Sequence, residues 1–300
     1  MFTNKTLYIA ALAILATFFA ALMALSVKYL SGDLHPIIIC FYRCVMGLIL
    51  ISPFIAKNNF AALKSKNYKF QFFRALINII SMICWFTALG TMHLEKATAL
   101  GFTTPLFTTI LAVILLGEVI RFHRTAALVL GFIGIFIIIR PGYIPLETGT
   151  ILMLIASLSF SFVLIFVKKL SYVDTSTTII FYHLSISTPI FFILSLFFWE
   201  NINFNQLIVF TFMGGAGLLS HWCLTQALRL SDTTFVMPLQ FTKLVWASLF
   251  GFLIFSEKPD LWTWIGGFVI FISVIYITYR EAIRKKGTDK QVQADRAIIN

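Results

Sequence analysis

The chain has 300 residues, of which 59% are hydrophobic and 12% are charged, and its mean hydropathy is +0.93. A water-soluble domain is nearer half apolar and a quarter charged, so this composition excludes an ordinary soluble protein and indicates a membrane protein. The formal net charge of +11 would suit a nucleic-acid partner, but the distribution of that charge along the chain points elsewhere.

Ten stretches of the chain are long and apolar enough to cross a bilayer, which takes about 20 residues of helix. They are residues 7–27, 36–54, 71–91, 97–117, 123–140, 149–167, 176–198, 205–228, 233–255 and 261–279. Backbone groups in hydrocarbon need partners within their own segment, and the alternation of a membrane barrel is absent, so each span is predicted to be an α-helix. The polar tail, residues 282–300, is predicted to be disordered and cytoplasmic.

The basic residues are divided unevenly between the loops that these ten spans create. Seventeen of the 23 lysines and arginines fall on the side that holds both termini, four fall on the other side, and two lie within spans. Cytoplasmic loops are richer in lysine and arginine than external loops. The pattern therefore predicts cytoplasmic termini and the lipid bilayer as a partner, and it gives no reason to expect nucleic-acid binding.

The two halves of the chain repeat each other at an offset of 139 or 140 residues. At the offset of 140, the matching residues are Val27, Lys28, Leu30, Ser31, Ile39, Phe41 and Tyr42 with Val167, Lys168, Leu170, Ser171, Ile179, Phe181 and Tyr182. At the offset of 139, they are Ser81, Cys84, Ala88, Leu89, Leu100, Phe102, Thr103 and Glu118 with Ser220, Cys223, Ala227, Leu228, Leu239, Phe241, Thr242 and Glu257. Because each half holds five spans, the second half enters the membrane from the opposite side, as in many secondary transporters. We predict an all-α integral membrane protein of ten transmembrane helices in two inverted five-helix repeats, residues 1–145 and 146–281. A duplication without transport is the alternative.

Two cations lie near the middle of predicted spans, Arg43 in the second and Lys243 in the ninth. By insertion scales each costs roughly 2.5–3.5 kcal/mol at the centre of a helix. All twelve acidic residues lie in loops, in the tail or at span ends, so neither cation has a mid-span carboxylate as a partner. We interpret them as the positive field of a central cavity that attracts an anionic or carboxylate-bearing group. Packing against helix carbonyls and hydroxyls is the alternative.

Polar and aromatic side chains in the spans are candidates for the same cavity. Gln240 and Trp246 share a helical face with Lys243, and His183 matches Arg43 in the repeat, either as a titrating partner or as a packing histidine. Tryptophan rings could stack on a flat substrate, although tryptophan also belongs to membrane interfaces. The predicted substrate-binding residues are Tyr42, Arg43, Trp85, Thr104, Tyr182, His183, His221, Trp222, Gln240, Lys243 and Trp246.

Catalytic signatures are absent from the sequence. It contains no nucleophile elbow, zinc-protease motif, Walker-type phosphate loop or pair of carboxylates facing a cavity. We therefore expect a protein that is not an enzyme, has no cofactor or metal site and does not drive transport with ATP. A membrane-embedded receptor or enzyme without transport activity is the alternative function.

Two segments share an Ala-Leu start, an apolar helix and a closing glutamate: "ALGTMHLEKATALGFTTPLFTTILAVILLGE" (88–118) and "ALRLSDTTFVMPLQFTKLVWASLFGFLIFSE" (227–257). Together with the ten spans, they resemble the EamA-type members of the drug/metabolite transporter superfamily. Segment 259–281 is similar to the final helix of alphaproteobacterial members. The resemblance implies a secondary transporter of the bacterial inner membrane that moves a small organic metabolite by alternating access.

The resemblance implies a solute of the kind that such relatives move, including amino acids, S-adenosylmethionine and riboflavin. Together with the central cations, this gives a metabolite with an anionic or carboxylate group and a flat ring as the expected small-molecule partner. Gln240 stands where related members commonly have an arginine, and Lys243 offers a charge one turn later. A homodimer is left open.

Overall fold

The computed structural model describes residues 4–57, 64–65, 67–91, 97, 100–101, 103–118, 122–139, 148–255, 261–262, 265–269, 271–273, 275–276 and 279–280. The helices are α1 (Asn4–Leu30), α2 (Pro36–Lys57), α3 (Tyr68–Thr91), α4 (Thr103–Leu116), α5 (Phe122–Ile139), α6 (Thr148–Leu170), α7 (Ser176–Ser195), α8 (Phe204–Leu230), α9 (Thr233–Leu239) and α10 (Thr242–Phe255), with a 3₁₀ turn at Leu196–Phe198. These residues contain no strand, so the all-α prediction is confirmed for them. The predicted disordered tail, residues 282–300, lies outside the described residues.

Seven helical segments of the described chain are long and apolar enough to cross a membrane: Lys5–Leu30, Pro36–Ala56, Tyr68–Thr91, Thr148–Leu170, Ser176–Phe198, Phe204–Leu230 and Phe235–Ile254. The last of these runs through α9 and α10. Shorter apolar helices, Phe107–Leu116 and Thr125–Gly134, fall within the predicted spans 97–117 and 123–140. The structure therefore describes a multi-span helical protein, and the full number of ten spans stays a prediction.

The ends of several helices are fixed by local hydrogen bonds. At the start of α8, Asn203 Oδ1 accepts from the N–H of Gln206 at 2.8 Å, and Gln206 Oε1 accepts from the N–H of Asn203 at 2.9 Å. This capping box satisfies backbone donors that the first helical turn leaves free. Beyond the end of α4, Gly117 has a φ of 66°, in the left-handed region that favours glycine at helix ends.

The turn at Gly117 brings the end of α4 to the start of α9. Glu118 Oε1 accepts a hydrogen bond from the N–H of Thr233 at 2.9 Å. A carboxylate is favoured at a helix N-terminus, because the unpaired N–H groups there carry partial positive charge. The bond therefore ties a residue of the first half of the chain to the helix that begins the ninth predicted span.

The helices of each half pack mainly against helices of the other half. The most extensive contacts are α3 with α6 and α1 with α8, followed by α2 with α7 and α8, α4 with α6, α1 with α10 and α3 with α7. Close approach of α8 to α2 depends on Gly214, where a Cβ would lie 2.7 Å from the Cβ of Met46. Small residues allow membrane helices to approach closely in this way.

Two hydrogen bonds of the same kind join the most closely packed helix pairs. Ser81 Oγ on α3 donates to the carbonyl of Ala156 on α6 at 2.9 Å. Ser220 Oγ on α8 donates to the carbonyl of Ala16 on α1, also at 2.9 Å. The two serines lie 139 residues apart and the two alanines 140 residues apart, so donors and acceptors both follow the sequence repeat.

Large apolar side chains lie exposed along the outside of the helices. Examples are Ile114, Leu253 and Phe197, with 69%, 64% and 77% of their surface exposed. Exposed apolar surface on this scale requires an apolar neighbour, and helices with outward apolar faces are typical of membrane spans. The exposed surface is therefore suited to lipid, while the polar side chains considered next face inward.

Candidate functional site

A cavity of about 160 Å³ lies between the helices of the two halves. This is room for several waters. Residues of α1, α2, α3, α4, α6, α8, α9 and α10 form the wall, and the described lining residues include no carboxylate. The polar side chains in the wall are Arg43, Asn78, Ser81, Thr104, Ser157, Ser220, His221, Gln240 and Lys243.

Arg43 reaches the cavity from α2 and is only 4% exposed. Its Nε donates to Met23 Sδ at 3.3 Å, and its Nη1 donates to Met82 Sδ at 3.4 Å. Gly217 on α8 leaves room for the guanidinium, since a Cβ there would lie 3.3 Å from Nε and Nη2. A thioether sulfur is a weak acceptor, and within the described residues no carboxylate pairs with Arg43. The guanidinium is therefore placed to bind an anion.

Lys243 reaches the cavity from the start of α10. Its Nζ lies 5.1 Å from the centre of the Trp85 ring on α3, and Trp85 itself packs edge-on against Phe86 at 5.2 Å between ring centres. An ammonium over an indole face is attracted by the ring quadrupole. Within the described part of the chain this aromatic contact takes the place of an ion pair for Lys243.

The helix that carries Lys243 is interrupted inside the predicted ninth span. α9 and α10 are separated at Gln240 and Phe241. The N–H of Gln240 donates to the carbonyl of Met237 at 3.0 Å, and the N–H of Lys243 to that of Gln240 at 3.1 Å, three residues back in each case. Hydrogen bonds between residues three apart form a turn tighter than that of an α-helix. Interrupted helices commonly line the binding sites of transporters. Gln240 and Lys243 both face the cavity at this point.

Two histidines lie next to each other at one side of the cavity. His221 on α8 lines it, and the ring of His183 on α7 lies behind, with 5.8 Å between ring centres. Asn78 Nδ2 lies 3.1 Å from His183 Nδ1 and 3.0 Å from Nε2, and Ser187 Oγ lies 3.2 Å from Nδ1. Hydrogen bonds thus hold the His183 ring in place, and Asn78 connects it to the cavity wall.

Six of the eleven predicted residues line the cavity: Arg43, Trp85, Thr104, His221, Gln240 and Lys243. The other five lie outside it. His183 lies behind His221, Tyr42 stacks on Phe210 at 4.9 Å, Tyr182 packs edge-on against Tyr68 at 5.9 Å, Trp246 packs edge-on against Phe18 at 5.3 Å, and Trp222 is 37% exposed.

The reason is clearest for two of these residues, Tyr42 and Trp222. Each is the sequence neighbour of a lining residue, Arg43 or His221. A helix turns by about 100° per residue, so neighbours in sequence point to different faces, and a candidate list drawn from a short motif includes both.

The cavity also contains polar residues that the sequence did not single out as binding residues. The clearest is Ser157 on α6, which is 3% exposed and lines the wall. Its position in an apolar span was a usable signal. That signal is weak, because serine in a helix commonly bonds to its own backbone, as Ser161 does to the carbonyl of Ser157 at 2.7 Å.

Comparison with known families and proteins gives a consistent result. The EamA-like transporter family matches the chain twice, over residues 7–140 and 147–279. A Rickettsia bellii protein named S-adenosylmethionine uptake transporter is 27% identical over 265 residues, which cover 88% of this chain and 90% of that protein. A Vibrio cholerae protein named riboflavin transporter is 28% identical over 246 residues, covering 80% of this chain and 82% of that protein.

Two further similarities extend the comparison. A Pseudomonas aeruginosa protein named pseudopaline exporter is 24% identical over 272 residues, covering 89% of this chain and 94% of that protein. A solved crystal structure with 15% sequence identity has a TM-score of 0.76 and covers 95% of this chain and 99% of the other. At this identity the second similarity concerns the fold alone.

Proposed function

The chain belongs to the EamA-like transporter family, and we propose that it is a secondary transporter that moves a small organic metabolite by alternating access. Relatives named for S-adenosylmethionine, riboflavin and pseudopaline support a small metabolite as the solute class. Because these relatives are bacterial, they also support a location in the bacterial inner membrane. The family assignment favours a transporter over a membrane-embedded receptor or enzyme.

The observation that carries the proposal is a cavity between the two halves that contains Arg43 and Lys243 and no described carboxylate. Charges act strongly on each other in a cavity of low effective dielectric constant. A carboxylate or phosphate between these side chains would gain charge-assisted hydrogen bonds. The Trp85 ring beside Lys243 offers a face for a flat group. We therefore propose a substrate with an anionic group and a flat ring.

Alternating access requires two halves that can exchange roles, and we propose ten helices in two inverted repeats, residues 1–145 and 146–281. Support comes from helix contacts that occur in matching pairs: α3 with α6 corresponds to α8 with α1, and α4 with α6 corresponds to α10 with α1. The serine bonds to Ala156 and Ala16 join the first of these matching helix pairs, α3 with α6 and α8 with α1. Binding near the repeat interface is the usual arrangement in such folds.

Polar bonds join the halves at the helix ends that the charge distribution assigns to the cytoplasm. Asp174 accepts from Ser65 Oγ at 2.6 Å and from Gln71 Nε2 at 2.9 Å. Arg74 Nη1 donates to the carbonyl of Ile179 at 3.0 Å. All of these side chains lie inside the protein, and the charge distribution assigns the bond between the end of α4 and the start of α9 to the same side. We propose that this end is the closed cytoplasmic gate.

Reconstitution into liposomes tests the proposed function. Purified protein in liposomes would be supplied with a mixture of bacterial metabolites, and the contents would be analysed by mass spectrometry. We expect at least one anionic metabolite to enter chemically unchanged, and to enter more slowly with Lys243→Met. Empty liposomes are the control. Chemical conversion of a solute, or entry no faster than in empty liposomes, would contradict the proposal.

A further inference from the structure

We propose that the cavity contains a ring-edge subsite, formed by Ser157 and Gln240, that binds the hydrogen-bonding edge of a heteroaromatic ring. This inference rests on the proposed transport function and names the substrate class: an anion attached to a ring with a donor and an acceptor side by side on one edge. The cations Arg43 and Lys243 would then bind the anionic group, while the ring-edge subsite recognises the ring.

Ser157 is the first observation. Its side chain is 3% exposed and lines the cavity, and its Oγ has no hydrogen-bond partner within the described residues. Ser161, one turn later on α6, shows the ordinary behaviour of a helical serine, since it donates to the carbonyls of Ser157 and Thr104. Buried hydroxyls are nearly always bonded. Because the Ser157 hydroxyl faces the cavity, it can bond there to a water molecule or to a bound solute.

Gln240 is the second observation and lies on a different element. Its Nε2 is buried without a partner in the described part of the chain, and the residue lines the cavity where α9 and α10 are interrupted. An amide offers donors and an acceptor in one plane. It can pair with two neighbouring groups on a ring edge, as glutamine does with the N6 and N7 atoms of adenine.

The positions of Gln240, Lys243 and Trp85 predict how the substrate would be oriented within the cavity. Lys243 follows Gln240 by three residues, and both line the cavity at the interruption between α9 and α10, so the ring edge and the anionic group would be bound side by side. Trp85 contacts Lys243 and also lines the cavity, so its ring would offer a stacking face for the substrate ring. Adenine and isoalloxazine, the rings of S-adenosylmethionine and riboflavin, differ in shape but both have an edge with adjacent donor and acceptor.

Two pairs of anionic nucleotides test the ring-edge subsite. Each pair consists of a nucleotide and a form in which methylation removes the donor on the ring edge: AMP with N6,N6-dimethyl-AMP, and FMN with N3-methyl-FMN. Binding to the purified protein in lipid nanodiscs would be measured by calorimetry. We expect AMP or FMN to bind, and its methylated form to bind about tenfold more weakly or worse, because buried polar groups then stay unpaired.

Substitutions test whether the difference in affinity between a nucleotide and its methylated form depends on Ser157 and Gln240. Ser157→Ala and Gln240→Leu should bring the ratio of the two affinities towards one. Lys243→Met should weaken both members of a pair equally and leave their ratio unchanged. Ser161→Ala is the matched control, because that hydroxyl already donates to carbonyls of the protein, and it should also leave the ratio unchanged.

Two results on the unsubstituted protein would overturn the inference without any variant. One is equal affinity for the methylated and unmethylated members of a pair, and the other is the absence of binding by both AMP and FMN. Neither result decides the transport function, which is tested by entry of metabolites into liposomes. Failure of metabolite entry would instead remove the premise on which the ring-edge subsite rests.

Discussion

The ammonium of Lys243 lies 5.1 Å from the centre of the Trp85 ring, and this contact joins α10 in the second half of the chain to α3 in the first. A desolvated cation–π contact contributes about 2 kcal/mol, and a hydrogen bond from an ammonium to an anion about 1.5–3 kcal/mol. Because the two are similar in free energy, Lys243 can leave the indole for a substrate anion without a large penalty, and the ring face then becomes free for the substrate.

Substitution of Lys243 tests its role as an anion ligand. Lys243→Met keeps the length and removes the charge, and we expect roughly ten- to hundredfold weaker affinity for the solute identified in liposomes, as follows from loss of one charge-assisted hydrogen bond. Lys243→Arg should restore only part of it, since a planar fork does not replace a point charge. Equilibrium binding measures the effect, and Lys169→Met, at an exposed position, is the control. Unchanged affinity in Lys243→Met would make the cation structural.

Arg43 should matter more for transport than His183. We expect Arg43→Ala to abolish most uptake while the protein stays inserted, because the substitution removes the guanidinium that faces the cavity. His183→Ala should reduce uptake less, since its ring lies behind the wall and is bonded to Asn78. Initial uptake rates, normalised to protein in the membrane, measure both. Normal uptake by Arg43→Ala would show that this arginine serves packing.

Asp174 is expected to hold the proposed cytoplasmic gate closed. Its removal in Asp174→Ala leaves Ser65 and Gln71 without their carboxylate acceptor, which should shift the equilibrium towards the cytoplasm-open state by about tenfold. Labelling of a Leu224→Cys reporter in the cavity wall, from the cytoplasmic side of inverted vesicles, measures the opening.

The control for the gate is Asp33→Ala, which removes an exposed aspartate from the corresponding turn between α1 and α2. Labelling of the Leu224→Cys reporter should not change with that substitution. Equal labelling in Asp174→Ala and Asp33→Ala would mean that the Asp174 bonds contribute to stability without controlling access.

The orientation of the chain is tested at Lys64, which is exposed in the segment between α2 and α3. We expect a Lys64→Cys variant, in a background without the native cysteines, to escape labelling by an impermeant reagent in intact cells and to be labelled after the cells are opened. The reason is the excess of basic residues on that side. Efficient labelling in intact cells would reverse the assignment of every loop.

The sequence was sufficient to predict the helical membrane fold and the central cations. Long apolar runs can only be helices in lipid, and Arg43 and Lys243 stand out because charge is rare there. Pro238 marked the ninth span as a candidate for a kinked or broken helix, but the sequence could not predict that the break falls at Gln240 and Phe241, since local turns depend on the surrounding packing. It also could not separate Arg43 from its neighbour Tyr42, because the rotation of a helix about its axis is set by contacts with other helices.

The paired bonds of Ser81 and Ser220 offer a way to compare the populations of the two ends of the transport cycle. Both bonds measure 2.9 Å, so the two interfaces that they join can be perturbed by the same change, serine to alanine. If the halves exchange roles during each transport cycle, two such variants would favour opposite ends of that cycle. The difference in their effects on transport then reports how unequally the two ends are populated at rest.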